Sequence, residues 1–268
     1  MRNIFVLFVV LLGFSSQAQE LFVMAEPASN APAGSISARV GQSLLKNELM
    51  GGNTYSLAPE VTWGINKNLM VRGSAFLDNL HNNLDFSGAS AYAKYRFFSV
   101  DDMQSHFRMA AFGRYSYSKA PIHQEVIDLA GMNTGLEAGI VATQLIKKVA
   151  VSATLGFAQA FDNASYDLPN DFNKSAVNYS LSVGRLMHPK KYTSYKQTNI
   201  NTMLEFVGQT NTANGRSYLD IVPSLQFIIN SQARIDIAYK KELYRSLDRM
   251  NTDGVFLKLE YTFFNVTE

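Results

Sequence analysis

From Ser35 to Phe264 apolar and polar residues alternate with a period of two almost without a break, and no period of 3.6 competes with it. Successive side chains on a strand point to opposite faces, so the pattern describes strands with one greasy face and one polar or small face. Residues 149–161 are the clearest case. Val149, Val151, Ala153, Leu155 and Phe157 fall on one side, and Ala150, Ser152, Thr154, Gly156 and Ala158 on the other. The same division sets Val177, Tyr179, Leu181 and Val183 against Asn178, Ser180 and Ser182, and Leu219, Ile221, Leu225 and Phe227 against Asp220, Ser224 and Gln226. In the last segment Val255, Leu257, Leu259, Tyr261 and Phe263 oppose Lys258, Glu260 and Thr262.

Twelve such segments are expected, over residues 35–42, 54–63, 69–78, 86–98, 106–118, 132–145, 149–161, 175–186, 198–209, 217–228, 233–243 and 254–264. The links between them alternate in length. Residues 64–68, 146–148 and 230–232 make short turns, whereas 46–53, 120–131, 162–174 and 244–253 make longer loops. Even strand number, short turns on one side and long loops on the other are the habit of transmembrane barrels. The expected fold is therefore all-β, a transmembrane antiparallel up-and-down barrel of about twelve strands, with short turns in the periplasm and long loops outside.

A soluble β-sandwich or lipocalin-like barrel would alternate too, but it would turn its polar face to water and carry charge there. Only 17% of residues are charged while 12% are aromatic, against the ~25% charge of an ordinary soluble domain. The polar face is rich in Gly, Ala, Ser, Thr and Asn, which suits a crowded lumen. Tyr55, Trp63, Tyr95, Phe97, Tyr115, Tyr117, Phe157, Phe161, Phe206, Phe227, Tyr239, Tyr261 and Phe263 all fall near strand ends on the apolar face, as interfacial aromatic girdles do.

Residues 1–19 read as a secretory signal peptide: a basic start at Arg2, an apolar run from Ile4 to Phe14, and small residues Ser16 and Ala18 placed for a cut after Ala18. The run is shorter than the ~20 residues of a spanning helix, and the rest of the chain has no longer one. Residues 20–33 are expected as a periplasmic N-terminal lead, and 34–268 as the barrel, without repeats or linkers. Zero cysteines exclude disulfides and thiolate chemistry, and 4 scattered histidines make a metal site hard to build. No cofactor or metal is expected. A net charge of +2 offers no clustered basic face for nucleic acid.

Three stretches carry a resemblance: the signal-peptide end Ser16-Gln17-Ala18-Gln19, the lead Leu21-Phe22-Val23-Met24-Ala25-Glu26-Pro27, and the last strand Leu257-Lys258-Leu259-Glu260-Tyr261-Thr262-Phe263-Phe264. Together they resemble outer-membrane β-barrel proteins of the Bacteroidota type. The resemblance implies a bacterial outer-membrane location, outer-membrane lipids and the barrel-assembly machinery as partners, and a terminal aromatic strand as that machinery's signal. The chain departs from the pattern by continuing through Asn265, Val266, Thr267 and Glu268. The family includes porins, transporters, adhesins and a few enzymes, so it does not fix one function.

Alternation turns Arg39, Arg72, Lys94, Arg96, Arg108, Arg114, Arg234, Lys240 and Lys258 inward, with Glu60, Glu137, Glu205, Asp220, Asp236 and Glu260. A charge on the lipid face costs ~2–4 kcal/mol near the midplane, which is the reason to place them inside. They can pair into a network that fills the barrel. Alternatively they line a constriction that selects small polar or anionic solutes, with Arg72, Arg96, Arg108 and Arg114, on three consecutive strands, as one basic wall. The leading expectation is a passive porin or transporter-like channel for small polar solutes. A structural or adhesive barrel with a plugged lumen is the alternative, and a lipase- or protease-type barrel enzyme comes second. For an enzyme, His81 beside Asp78 and Asp85 is the only suggestive group; His123, His106 and His188 belong to no motif, and a solvated loop explains His81 as well. Met50-Gly51-Gly52-Asn53 reads as a flexible turn, Asn173-Lys174-Ser175 as a loop end, and Lys147-Lys148 and Lys190-Lys191 as turn pairs facing headgroups.

Overall fold

A computed structural model describes residues 22–80, 83–102, 104–189 and 196–267. Twelve strands follow one another: β1 (Ile36–Asn47), β2 (Asn53–Gly64), β3 (Leu69–Asp78), β4 (Asp85–Asp102), β5 (Ser105–Ser118), β6 (Thr134–Ile146), β7 (Val149–Phe161), β8 (Ser175–His188), β9 (Asn199–Asn211), β10 (Ser217–Ile229), β11 (Ala233–Arg245) and β12 (Asn251–Phe263). Each pairs antiparallel with its neighbours in sequence, and β1 pairs with β12 to close the barrel. Closure leaves no sheet edge unpaired around the ring, which is the condition for backbone to sit in lipid. Among the described residues there is no helix.

Every expected strand is present, and the differences lie at the ends. β1 continues past residue 42 because Ser43 and Leu44 find partners on both sides, Phe256 and Val255 of β12 and Ser56 and Tyr55 of β2. β4 runs to Asp102 because its last residues pair with the start of β5, after a register shift between Arg96 and Phe98. Pairing, which no single segment reveals, sets these limits. The end of the barrel carrying both chain termini of the ring and the link 230–232 is called the turn end, and the opposite end the loop end. At 230–232 Asn230 and Ser231 both adopt positive φ, 53° and 57°, and the Gln232 N–H donates to the Ile229 carbonyl at 3.0 Å. Two left-handed residues match the twist of the flanking strands. The link 189–198 between β8 and β9 departs from the short-turn pattern.

The outer surface is apolar. Val61, Ile140, Val151, Leu155, Leu181, Ile237 and Val255 are exposed there, and Trp63, Tyr95, Tyr115, Tyr117, Phe157, Phe161, Tyr239, Tyr261 and Phe263 are exposed closer to strand ends. A surface of this kind on a water-soluble monomer would be an aggregation hazard, whereas lipid satisfies it. Small side chains cover much of the inner wall: Ala150, Ser152, Ala158, Ala160, Ala176 and Ser182 are all buried. Gly139 shows why. A Cβ built there would clash with the Leu155 carbonyl oxygen and stand 2.7 Å from Cζ of Phe112, whose ring tip lies against Gly139 and Gly156.

The segment of residues 22–33, expected as a periplasmic lead, runs inside the barrel. Phe22 and Val23 pack among Ala150, Met203 and Val222, while Ala31 meets Met70 and Tyr92 on the other wall. The expected signal peptide, His81 and the Lys190-Lys191 pair lie outside the described residues.

Candidate functional site: a charged lumen with a peptide insert

Register puts the lumenal charges together. Arg39 lies opposite Glu60 on β2 and Glu260 on β12, and Arg234 lies opposite Glu260 from the other side. The resulting chain of contacts runs Glu60–Arg39 at 3.2 Å, Arg39–Glu260 at 2.6 Å, Glu260–Arg234 at 2.9 Å and Arg234–Asp236 at 3.1 Å. Asp236 also lies opposite Lys258. Cross-strand neighbours on one face are the closest contacts a sheet offers, so opposite charges at register positions pair with little reorganisation. Arg114 and Glu137 repeat the arrangement on β5 and β6 at 3.7 Å, with Glu137 also accepting from Asn178 at 2.7 Å.

The lead takes up a second set of charges. Glu205, wholly buried on β9, accepts the successive N–H groups of Val23 at 2.8 Å, Met24 at 3.1 Å and Ala25 at 2.7 Å. Successive main-chain N–H groups aimed at one anion make a strong anion cradle, here with the anion supplied by the wall. Lys258 donates to the Val23 carbonyl at 2.5 Å. Lys94, likewise wholly buried, donates to the carbonyls of Pro27 and Ser29, both at 2.7 Å. Glu26 projects against Arg72 in a short ion pair and lies 3.4 Å from Lys94. Burial pushes the Glu26 carboxyl up, but Arg72, Lys94 and Arg39 outweigh it and hold the group well below the usual carboxylate range.

At the loop end the residues 119–133 fold inward instead of standing free. Ile127 and Leu129 are buried, and the Ile127 peptide exchanges two hydrogen bonds of 2.9 Å with the Gln209 side chain. Glu125 fastens the loop to Arg216 and to the Asp248 N–H, both at 2.7 Å. Arg249 enters the lumen from residues 246–250, forks onto Asp220 and stacks over Tyr218 at 3.9 Å.

Between the lead and this inward loop remains a cavity of about 450 Å³. Its wall carries Arg72, Arg114, Glu60, Glu137, Asp220 and Lys240 together with the rings of Tyr92, Phe112 and Tyr218. The volume is in the range of small-molecule sites, ~300–1,000 Å³. The four arginines expected as one wall are divided. Arg72 and Arg114 flank the Tyr92 ring at 5.4 and 5.5 Å and border the cavity. Arg96 donates to the Lys67 carbonyl at 2.6 Å, and Arg108 reaches Asp101 at 2.8 Å and Ser29 at 3.2 Å, both away from the cavity.

The histidines make no metal site: among the described residues no three His, Asp or Glu side chains gather to hold an ion. His106 bonds Asp101 at 2.8 Å, and Ser99 bonds the other oxygen of the same carboxylate at 2.9 Å. The carboxylate thus sits between hydroxyl and imidazole, whereas nucleophilic catalysis needs those two in direct contact. Glu26, Tyr92, Phe112, Tyr218 and Arg249 were not singled out from the sequence. A lead whose stretch Leu21-Phe22-Val23-Met24-Ala25 carries no charge, and a loop containing Ile122, Val126, Ile127, Leu129 and Met132, are both too apolar to be left in water, which was the available signal.

Fold and lumen define the class: a closed twelve-stranded antiparallel barrel with an apolar outside and a charged inside. No protein-family model matches the chain, and no curated protein matches it. Solved structures do. An outer membrane channel described as COG4313, from Pseudomonas putida F1, superposes with a TM-score of 0.56 at 10% identity, over 90% of this chain and 100% of that one. The NanC porin gives 0.52 at 11% identity over 85% and 98%, and the KdgM porin 0.50 at 10% over 85% and 99%. At such identities the likeness is one of fold.

Proposed function

We propose that the chain resides in a bacterial outer membrane and is a passive channel for small polar solutes. The observation that carries this reading is the unfilled cavity of about 450 Å³ inside a closed barrel, bordered by charges of both signs. Protein interiors that serve only as support are packed closely, so a polar space kept open within an apolar-coated cylinder favours passage over support. The fold shared with the two porins and the outer membrane channel supports the same reading. Arg72 and Arg114, beside Glu60 and Glu137, are the selectivity residues. The Bacteroidota type and delivery by the barrel-assembly machinery rest on the resemblance of the signal peptide, lead and last strand.

In planar bilayers the purified protein is expected to give discrete conductance steps. Arg114→Ala leaves Glu137 without its cation, so the reversal potential in a salt gradient should move toward cation preference. Absence of steps speaks against the channel, and an unchanged reversal potential speaks against Arg114 as a selectivity residue. One observation favours a closed structural barrel instead: the lead and the inward loop both occupy the lumen. In that case neither the wild type nor any lead variant conducts.

A further inference from the structure

The contacts that hold the lead are mostly to its backbone. Four N–H groups, of Val23, Met24, Ala25 and Ala28, and three carbonyls, of Val23, Pro27 and Ser29, bond to side chains of the wall. Those side chains, Glu205, Thr143, Lys258 and Lys94, come from β9, β6, β12 and β4, so the wall presents them on several sides of an extended chain. Backbone bonding gives affinity in peptide recognition, and pockets for particular side chains give selectivity. Both parts are present. Phe22 and Val23 enter an apolar recess, and three residues after Val23 the Glu26 carboxylate meets Arg72 and Lys94. The lead joins the barrel through Gly34, in the left-handed region at φ 71°, and between Phe22 and that residue it contributes no strand to the barrel.

We propose that the lumen contains a peptide-binding site whose resident ligand is the lead, and that the same site takes a free extended peptide bearing an apolar pair followed three residues later by a carboxylate. The ligand narrows the lumen while it is seated. Tethering gives the resident segment an effective concentration near millimolar, so a free peptide competes only once the lead is disabled.

The full chain tests this. Glu26→Lys turns an attraction to Arg72 and Lys94 into repulsion while leaving the wall intact, and its conductance should exceed that of the wild type. A synthetic peptide of residues 22–33 added from the turn side should bring it back toward the wild-type value; the same peptide carrying E26K should not. Where the wild type conducts, an unchanged conductance in Glu26→Lys, or equal block by both peptides, overturns the proposal. The conductance arms rest on the channel reading, and a second readout does not. The chain has no cysteine, so Met24→Cys provides a single thiol on the lead. Its labelling by a soluble maleimide should accelerate roughly ten- to a hundredfold when Glu205→Gln, a variant of the same shape, turns one oxygen of the cradle into a donor. Equal labelling rates in the two backgrounds overturn the site even if the protein conducts, whereas faster labelling without any conductance keeps the site and removes the channel.

Discussion

Arg39 of β1 stands directly opposite Glu260 of β12, with Nε 2.6 Å from Oε2, at the seam where the first and last strands close the barrel. Glu260 also takes Arg234, and Arg39 also takes Glu60, so one ion pair at the seam ties four consecutive strands of the ring. Removing a single partner from a buried ion pair strands the other charge at a cost of about 3–5 kcal/mol. Glu260→Gln leaves Arg39 with Glu60 and Arg234 with Asp236, so it is expected to lower folding stability by less, about 1–3 kcal/mol. Urea unfolding in lipid vesicles, followed by the fluorescence of the single tryptophan, measures it. A change below about 0.5 kcal/mol, typical of surface sites, would show that the network contributes nothing to closure.

Leu155 is 54% exposed on the outside of β7, while its neighbour Thr154 borders the cavity. If the outside faces lipid, Leu155→Arg costs ~2–4 kcal/mol in vesicles. In a water-exposed wall the same change would be nearly neutral. The same unfolding titration separates the two cases.

Trp63 lies at the turn end of β2, 40% exposed, with its Nε1–H donated to Thr267 at 3.1 Å. An indole with an apolar body and a polar tip belongs at the headgroup level. Lipids brominated high on the acyl chain are expected to quench Trp63 more than lipids brominated near the methyl end. The reverse order would place β2 at the wrong depth.

Glu26 gives the seated lead a pH dependence. Its carboxyl is held below the ~4.3 of a free glutamate, so the ionised group stabilises docking fully above that value, and the stabilisation fades as pH falls through the lower docked value. The Glu26 contribution, the difference in conductance between Glu26→Gln and the wild type, should stay constant from neutral pH to about 4.3 and vanish only below it. Glu26→Gln should show the higher level wherever the two differ. A difference already lost at pH 6 would mean that another group controls the lead.

The barrel was legible in the chain because a period of two survives any error in strand limits, and because the alternation in link length fixes which links share an end. Strand limits at Asn47 and Asp102 were not legible, since they depend on partners supplied by β12, β2 and β5. The lumenal charges could be placed on the inner face by parity alone, but their partners could not. Arg72 and Lys94 meet Glu26, from a segment that parity leaves unassigned because it is not a strand. Glu205 could be placed on the inner face, but not the three peptide N–H groups that it binds there. Arg114 with Glu137, by contrast, follows from register once the β5–β6 pairing is known.

Solute flux tests the channel most directly. Vesicles carrying the purified protein, diluted into isotonic solutions of neutral sugars of increasing size, should swell with monosaccharides, more slowly with disaccharides and hardly with larger oligomers. Glu26→Lys should raise all rates. Vesicles that fail to swell with any sugar, with the wild type and with Glu26→Lys alike, would contradict a channel and leave a closed structural barrel.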